Sequence, residues 1–442
     1  MNEQPNITVG VCENDEAIAG SFYGSFHVAG GKPLNGPFRA IAGGDVVMLL
    51  DGSGREILRH PSIHCIPSEG ATFSLESVSI GRNFHWERRR TERFEGALTF
   101  IAGRGGGVTA VNTLPIESYL ASVISSEMSG TAPGEFLKAQ AIVSRSWLAA
   151  MLLRKARPSV TPPASVRHIQ GEEEIIRWYD RQDHEQFDVC ADDHCQRYQG
   201  ISLRGRAAEA VRETSGIFLT WRGEVCDARF HKACGGLTER FGTAWEDIDV
   251  PYLVSVSDGP DIFDTADTEQ KARLWLLSRP DVYCATEDSD FLARILPDYD
   301  RETADFFRWR LVYSRRDLER IIEDKSQREI GTLYEILPLA RGPSGRIHRL
   351  RIVGSRRTLE IGKELEIRRV LSQSHLYSSA FTVQAEGGTS DVPERFVFHG
   401  GGWGHGVGLC QIGAAVMAQR GFSTEAILAH YFPGTSLERR YR

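Results

Sequence analysis

Apolar positions change their period along this chain. Up to about Gly107 they come as short alternating or apolar runs separated by turns: ITVGVC, GSFHVAGG, VVMLL before DGSG, FSLESVSI and GALTFIAGRGGG. Such runs predict strands. From Pro115 the period lengthens. Ile116, Tyr119, Leu120, Val123 and Ile124 fall at i, i+3, i+4, i+7 and i+8, the stripe of a buried helix face, with Pro115 in the first turn. EFLKAQAIVSRSWLAAM predicts a second helix, so Pro115 to Arg154 reads as a helical pair. A polar, His-rich segment spans His168 to Gly200. LRGRAAEAVRETSG then predicts a helix stopped at Gly216, and IFLTWRGEVCDARFH a hairpin turning at Arg222-Gly223. Asp258 to Lys325 reads as charged and helical. Strands resume near Glu335 through RGPSGRIHRLRIVG and RRTLEIGKELEIRRVL. The glycine-rich HGGGWGHGVG leads into a helix, QIGAAVMAQRG, ended by Gly421. A last helix, STEAILAHYF, stops at Pro433-Gly434.

Strand blocks and helix blocks without regular alternation indicate an α+β fold rather than α/β, with mixed strand blocks around a central helical pair. The expected division is a β-rich region over 1–107 and a core over 108–258 with the helical pair and a metal loop. A charged helical segment over 259–334 and a C-terminal β region over 335–442 complete it. The 442 residues suffice for a large core. A net charge of -7 argues against a general nucleic-acid binder, although Arg82 to Arg93 forms a local basic run. No stretch is apolar enough to span a bilayer. MNEQPNITVGV shows no basic region followed by an apolar one, so the expectation is a cytosolic protein or one whose export signal lies outside this sequence. Eight scattered cysteines do not make a disulfide scaffold.

One acid stands out. Glu127 continues the apolar face of the first helix and sits where that helix should stop, just before Ser129, Gly130 and Pro133. Desolvation and the negative end of the helix dipole both favour a protonated carboxyl there, and a neutral acid is what a general acid requires. The alternative is a glutamate that frays into solvent.

His184, Cys190, His194 and Cys195 offer two imidazoles and two thiolates, suited to a tetrahedral, structural zinc. Adjacent His194 and Cys195 would need a sharp backbone turn to share one ion. The alternative is a surface loop with free or disulfide-linked cysteines. Cys226, His231 and Cys234 form a second group, for which packing is the simpler fate. His231 and the Gly235-Gly236 turn resemble cleft-lining material, because paired glycines let backbone amides approach a ligand. On the second helix Lys138 and Arg145 share a face, with Gln140 about 200° round from Lys138. A solvated basic face is the plain reading. The glycine loop lacks a phosphate-loop pattern; its glycines flank Trp403, a stacking platform, and His405, a titratable donor.

Three segments together resemble the SpoIID/LytB family of bacterial cell-wall proteins, which includes sporulation lytic transglycosylases and amidase enhancers. They are LPIESYLASVISSEM with LKAQAIVSRSWL, then PYLVSVSD after the CGG turn, then GGWGHGVGLCQIGAAVMAQRG with ILAHYFPGT. The resemblance implies a SpoIID-like fold with a cleft between subdomains and Glu127 as the catalytic glutamate. It implies Lys138, Gln140 and Arg145 on the family's Lys-Ala-Gln-Ala-x-x-x-Arg helix, and a structural zinc on His184, Cys190, His194 and Cys195. Substrate contacts would also come from His231, Gly235, Gly236, Trp403, His405 and Gln411. Where the family commonly has Ser-Gly-Gly, this chain has Cys234-Gly235-Gly236. The implied activity is lytic cleavage of peptidoglycan glycan strands, with enhancement of a cell-wall amidase as the alternative. The implied location is the cell envelope.

Overall fold

The computed structural model describes residues 3–28, 33–81, 87–103, 105–156, 168–178, 184–192, 194–201, 205–300, 305–389 and 392–441. Helices α1 (Ile116–Glu127), α2 (Gly134–Ala156), α3 (Gly205–Glu213), α4 (Phe241–Ala244) and α5 (Glu269–Leu277) come first. Then follow α6 (Ser289–Ile295), α7 (Arg315–Ser326), α8 (Glu364–Val370), α9 (Gln411–Gln419) and α10 (Thr424–Tyr431). They lie among strands gathered in several sheets, so the fold is α+β. No helix among the described residues is long and apolar enough to cross a membrane.

The chain forms two compact units. The first comprises Met1–Ala132, Asp183–Ile217 and Arg439–Arg442; the second comprises Pro133–Gln182 and Phe218–Glu438.

The first unit is built on an 11-stranded sheet. Its main path runs Val189–Cys190, Asn6–Asp15, Val108–Pro115, Ala97–Ala102, Ser62–Pro67, Ala17–His27, Leu34–Ala42, Val47–Asp51 and Glu56–His60. Thr72–Ile80 pairs with Ala17–His27 and carries Arg88–Glu95. The basic run at Arg82 to Arg93 thus becomes partly a strand, while 82–86 lie outside the described residues. Pro115 ends a strand and caps α1 in extended conformation (φ -60°, ψ 144°), so the helix begins one residue later than its sequence suggests. Proline has no amide to give a helix and its φ suits a strand end equally well.

The predicted stripe of α1 is fully buried, and the burial extends round to Ser122, Ser125 and Ser126. Two of these hydroxyls return hydrogen bonds to the preceding turn, Ser125 to Ala121 O at 2.8 Å and Ser126 to Ser122 O at 2.8 Å. A helix buried on most sides can carry serine where the serine finds a carbonyl four residues back.

The segment 184–201 is tied to this sheet and helix. Buried Asn112 donates to Glu95 O and Ala97 O and accepts from Tyr198 Oη at 2.6 Å. Tyr198 stacks on Tyr119 with ring centroids 5.3 Å apart.

In the second unit a five-stranded sheet runs His168–Gln170, Glu174–Arg177, Thr358–Gly362, Ile347–Gly354 and Leu333–Arg341. A three-stranded sheet runs Arg308–Ser314, Arg395–Gly401 and Phe381–Glu386. Both contribute to one core, with Trp309, Leu350, Ile352, Phe381 and Phe398 among its members. Two expectations are corrected here. Arg308–Ser314, read as part of a charged helical segment, is a strand; its WRLVY run of aromatic and β-branched residues outweighs the flanking charge. KELEIRRV, read as a strand, is helix α8. Ile367, Val370 and Leu371 bury at i, i+3 and i+4. Arg368 and Arg369 reach back to Glu364 (3.5 Å) and Glu366 (2.5 Å), spacings only a helix provides. The hairpin at Arg222-Gly223 forms as its sequence predicts, both residues having positive φ.

Buried Asp227 joins α2 to this hairpin region. Its carboxylate takes a bidentate pair from Arg229 (2.8 and 3.0 Å) and a third bond from Arg154 at 2.9 Å. Burial alone would raise its pKa; Arg229, then Arg154, outweigh that and hold it below the ordinary 3.8.

Two measurements of stability follow from these ties. Tyr198→Phe leaves a buried acceptor on Asn112 without its donor and is expected to cost about 1–3 kcal/mol in urea unfolding. Asp227→Asn leaves two arginines uncompensated and is expected to cost about 3 kcal/mol, since one of them is half exposed. Because the folded pKa is depressed, this contribution is full above the ordinary aspartate pKa. It fades as pH falls through the lowered value, and wild type and variant should converge in acid.

Candidate functional site

In the first unit α1 delivers Glu127 as its last helical residue, 8 % exposed. The side chain does not fray into solvent. Its Oε1 accepts the backbone amide of Arg197 at 3.0 Å. The amide of Gln199, two residues on, donates to Ser122 Oγ at 3.1 Å. One extended stretch, 197–199, therefore docks along α1 and fixes the carboxylate. Sequence reasoning missed Arg197 because its contribution is a backbone amide, which leaves no trace in residue type.

That stretch leaves directly from the His/Cys loop. The ligand atoms of His184, Cys190, His194 and Cys195 all lie within 4.8 Å of one another. Cys195 Sγ is 3.5 Å from His184 Nε2 and 3.4 Å from His194 Nδ1, and Cys190 Sγ is 3.8 Å from His194 Nδ1. The sharp turn that adjacent His194 and Cys195 require is present: the Cys195 amide donates to Asp192 O at 2.9 Å. Cys190 is held from the other side by the short strand Val189–Cys190, which pairs in parallel with Val9 and Gly10. Phe187 packs against Gly10, where a side chain of any size would collide with the ring. The Cys195 thiol, then His184 and His194, pull the Cys190 thiol far below the usual range, while Cys195 is pushed up by the same partnership. Two sulfurs and two imidazole nitrogens at these separations fit a tetrahedral, closed site for zinc.

The second unit holds the other predicted residues. On α2, Lys138 is half-buried and 3.1 Å from Glu135. Arg145 is fully buried, so the two do not form a solvated basic face. Gln140 is also fully buried; its Nε2 donates to Ser144 Oγ at 3.3 Å, and its Oε1 has no partner among the described residues.

The glycine loop closes on residues 231–239. The strand Phe230–His231 pairs in parallel with Leu409–Cys410, and Ala233 bridges to Trp403. Gly402, Gly404, Gly406 and Gly408 all have positive φ. They pack on the 229–234 stretch and on an unpredicted residue, the fully buried Arg346. It donates to Gly404 O (3.1 Å), Cys234 O (3.1 Å) and Ser344 Oγ (2.9 Å). A Cβ on Gly406 would run into its guanidinium, and one on Gly402 would lie 2.9 Å from Nη2. Gly235 is likewise packed on the backbone of Gly401 and Gly402. These glycines admit close approach of the protein's own groups, not of a ligand. Arg346 sits in a polar turn, RGPSGRIHR, and nothing in its spacing marks it as a core residue.

Trp403 stacks on Tyr377 (4.3 Å, 29°) and touches Phe306. His405 packs on Trp245 at 4.9 Å and lies 5.6 Å from His231. His231 Nδ1 must donate to Val407 O, 3.1 Å away, which leaves its buried Nε2 as an acceptor without a partner among the described residues. His405 Nδ1 accepts the Val407 amide at 3.0 Å, which puts its proton on Nε2. Burial, with Arg346 nearby, pushes His231 down to about 3, and burial beside His231 and Arg229 takes His405 well below its ordinary range. Both rings are therefore neutral at physiological pH: one offers an acceptor and the other a donor. Gln411 opens α9, buried, with Nε2 unpartnered among the described residues. Cys226 and Cys234 stay apart, since Cys234 Sγ faces Cys284 Sγ at 3.5 Å. Two surface pockets of about 610 and 510 Å³, beside Tyr334 and Trp275, are lined by none of the predicted residues.

Residues 104–221 match the Stage II sporulation protein family, SpoIID, and residues 239–408 match a domain of unknown function, DUF8618. Stage II sporulation protein D of Bacillus amyloliquefaciens is 23% identical over 403 residues, covering 89% of this chain and 95% of the relative. Its counterpart from Bacillus subtilis is 23% identical over 388 residues, 86% of this chain and 92% of that protein. The amidase enhancer of Bacillus subtilis is 24% identical over 253 residues, 55% of this chain but 34% of the longer relative. The SpoIID match takes in α1 with Glu127, the whole of α2 and the His/Cys loop, and the chain is similar to Stage II sporulation protein D over most of its length.

Proposed function

We propose that this protein is a cell-envelope lytic transglycosylase that cleaves peptidoglycan glycan strands, with Glu127 as its single acid and base. The observation that carries the reading is Glu127 itself: the last residue of α1, inside the SpoIID match, 8 % exposed and fixed through Oε1 by the Arg197 amide. In the proposed reaction Glu127 gives a proton to the glycosidic oxygen as the bond to the muramic acid anomeric carbon breaks. The 6-hydroxyl of the same sugar closes on that carbon and returns a proton to Glu127. The product end is a 1,6-anhydro sugar, and the carboxyl regains its starting form. An internal nucleophile dispenses with the second carboxylate used by common glycoside hydrolases.

Zinc on His184, Cys190, His194 and Cys195 would supply structure, not chemistry. A four-ligand set leaves no open position for substrate. It would anchor the loop from which the Arg197 amide reaches Glu127.

The similarity to an amidase enhancer supports one other reading, a glycan-binding protein that stimulates a cell-wall amidase. Product analysis on purified peptidoglycan separates the two. 1,6-Anhydromuramic ends made by the protein alone favour the enzyme; release of peptides only when an amidase is added favours the enhancer.

Glu127→Gln is expected to keep glycan binding in a pull-down and to lose about 10²- to 10⁴-fold in the rate of anhydro-end formation. Full activity in this variant removes the assignment. Cys195→Ser, or stripping with a strong chelator, is expected to expose 184–201 to limited proteolysis and to lower activity together. Unchanged proteolysis would mean that the loop stands without a cation.

A further inference from the structure

A second quartet lies in the second unit, unconnected with the reading above. The ligand atoms of Cys234, Asp258, Cys284 and Cys410 all fall within 4.8 Å of one another. All four residues are almost completely buried, at 2 %, 0 %, 1 % and 0 % exposure. We propose that they form a closed structural site for a soft divalent cation, zinc by chemistry.

Four features of the geometry favour a cation over simple packing. The Cys234 and Cys284 sulfurs are 3.5 Å apart. That is too far for a disulfide, at about 2.05 Å. It is near the ~3.8 Å separation of two thiolates on a tetrahedral zinc with bonds of about 2.3 Å. Backbone amides are aimed at sulfur: Cys234 N lies 3.2 Å from Cys410 Sγ, and Gly236 N lies 3.3 Å from Cys234 Sγ. Such donors favour the charged thiolate that a metal needs and are wasted on an apolar thiol. Asp258 is oriented from both sides, by the Cys284 amide at 2.8 Å on Oδ2 and the Tyr431 hydroxyl on Oδ1. Outer hydrogen bonds of this type fix ligating carboxylates. Gly413 backs onto the same carboxylate, where a Cβ would collide with Asp258 and Tyr431.

Charge balance is the fourth. Three thiolates and a carboxylate around a dication leave two negative charges in excess. Two guanidiniums, that of buried Arg346 and that of half-buried Arg308, adjoin the quartet. Arg346 binds Cys234 O at 3.1 Å and Arg308 binds Gly235 O at 2.9 Å. Both donate to carbonyl and hydroxyl oxygens rather than to a carboxylate among the described residues; Arg346 Nη2 has no partner there, and Glu364 and Glu239 attract Arg346 without a direct ion pair. Cations held this way favour further negative charge beside them, and a loaded quartet adds it.

The donors come from four places: the Gly235-Gly236 turn, the segment before α5, the turn Tyr283–Ala285 and the start of α9. A cation there would bind the glycine loop's neighbours to the helical segment.

The test uses the full chain, purified without oxygen in the presence of zinc. Cys190→Ser/Cys195→Ser disables the other quartet and is expected to retain one zinc per chain. Adding Cys284→Ser/Cys410→Ser is expected to remove it. The double variant decides the matter even if wild type holds a single zinc, so failure at the His/Cys loop does not affect it. A folded double variant with no zinc, or a Cys234–Cys284 disulfide found by mass spectrometry, overturns the proposal. Should the double variant fail to fold, cadmium-113 spectra of the wild-type chain read the sulfur count directly. A resonance from a three-sulfur site supports the assignment, and its absence overturns it.

Discussion

A side-chain carboxyl buried at the C-terminal end of a helix is surrounded by carbonyl oxygens, and the helix itself has no amide to offer it. The donor must come from elsewhere in the chain. For Glu127 it is the Arg197 amide, and this one requirement organises much of the first unit. Residues 197–199 must lie along α1, so the loop before them needs an anchor. The parallel pairing of Val189–Cys190 with the sheet edge and the gathering of His184, Cys190, His194 and Cys195 both serve that end. Tyr198 completes the dock through Asn112 and its stack on Tyr119.

The second unit answers a similar problem with the opposite charge. Arg346 is fully buried, and its guanidinium donates to the carbonyls of Gly404 and Cys234 and to Ser344. Ser344 in turn is held by Glu239, which also takes the Arg240 amide and the Thr243 hydroxyl. The glycine loop and the 231–239 stretch are shaped around this arginine, and His231, Trp403 and His405 are placed as a result.

Residues close in sequence were legible, and those joined by the fold were not. The stripe Ile116, Tyr119, Leu120, Val123 and Ile124, the Arg222-Gly223 hairpin and the Gly421 helix stop are local patterns, and the structure contains them as read. The His/Cys quartet lies within one short segment, so spacing revealed the gathered donors. KELEIRRV failed because Leu-Glu-Ile alternation suits a strand as well as a helix, and only the reach of Arg368 and Arg369 to their glutamates distinguishes them. Cys234, Asp258, Cys284 and Cys410 are too widely separated for any periodicity to link them. The Arg197 amide was invisible for a different reason, being backbone. Arg145 shows the limit of composition: a cation on a helix is ordinarily solvated, and this one is in the core.

Four glycines in the seven residues from Gly402 to Gly408 make this the loosest stretch of the unfolded chain. In the folded unit every one of them is held at positive φ, by contacts that come from outside the loop. Its order is thus borrowed, chiefly from Arg346 and the 229–235 backbone. Trp403 and His405 consequently keep their poise only while a core arginine, remote in sequence, keeps its own. Changes at Arg346 will be felt at the two rings before any change in the rings themselves.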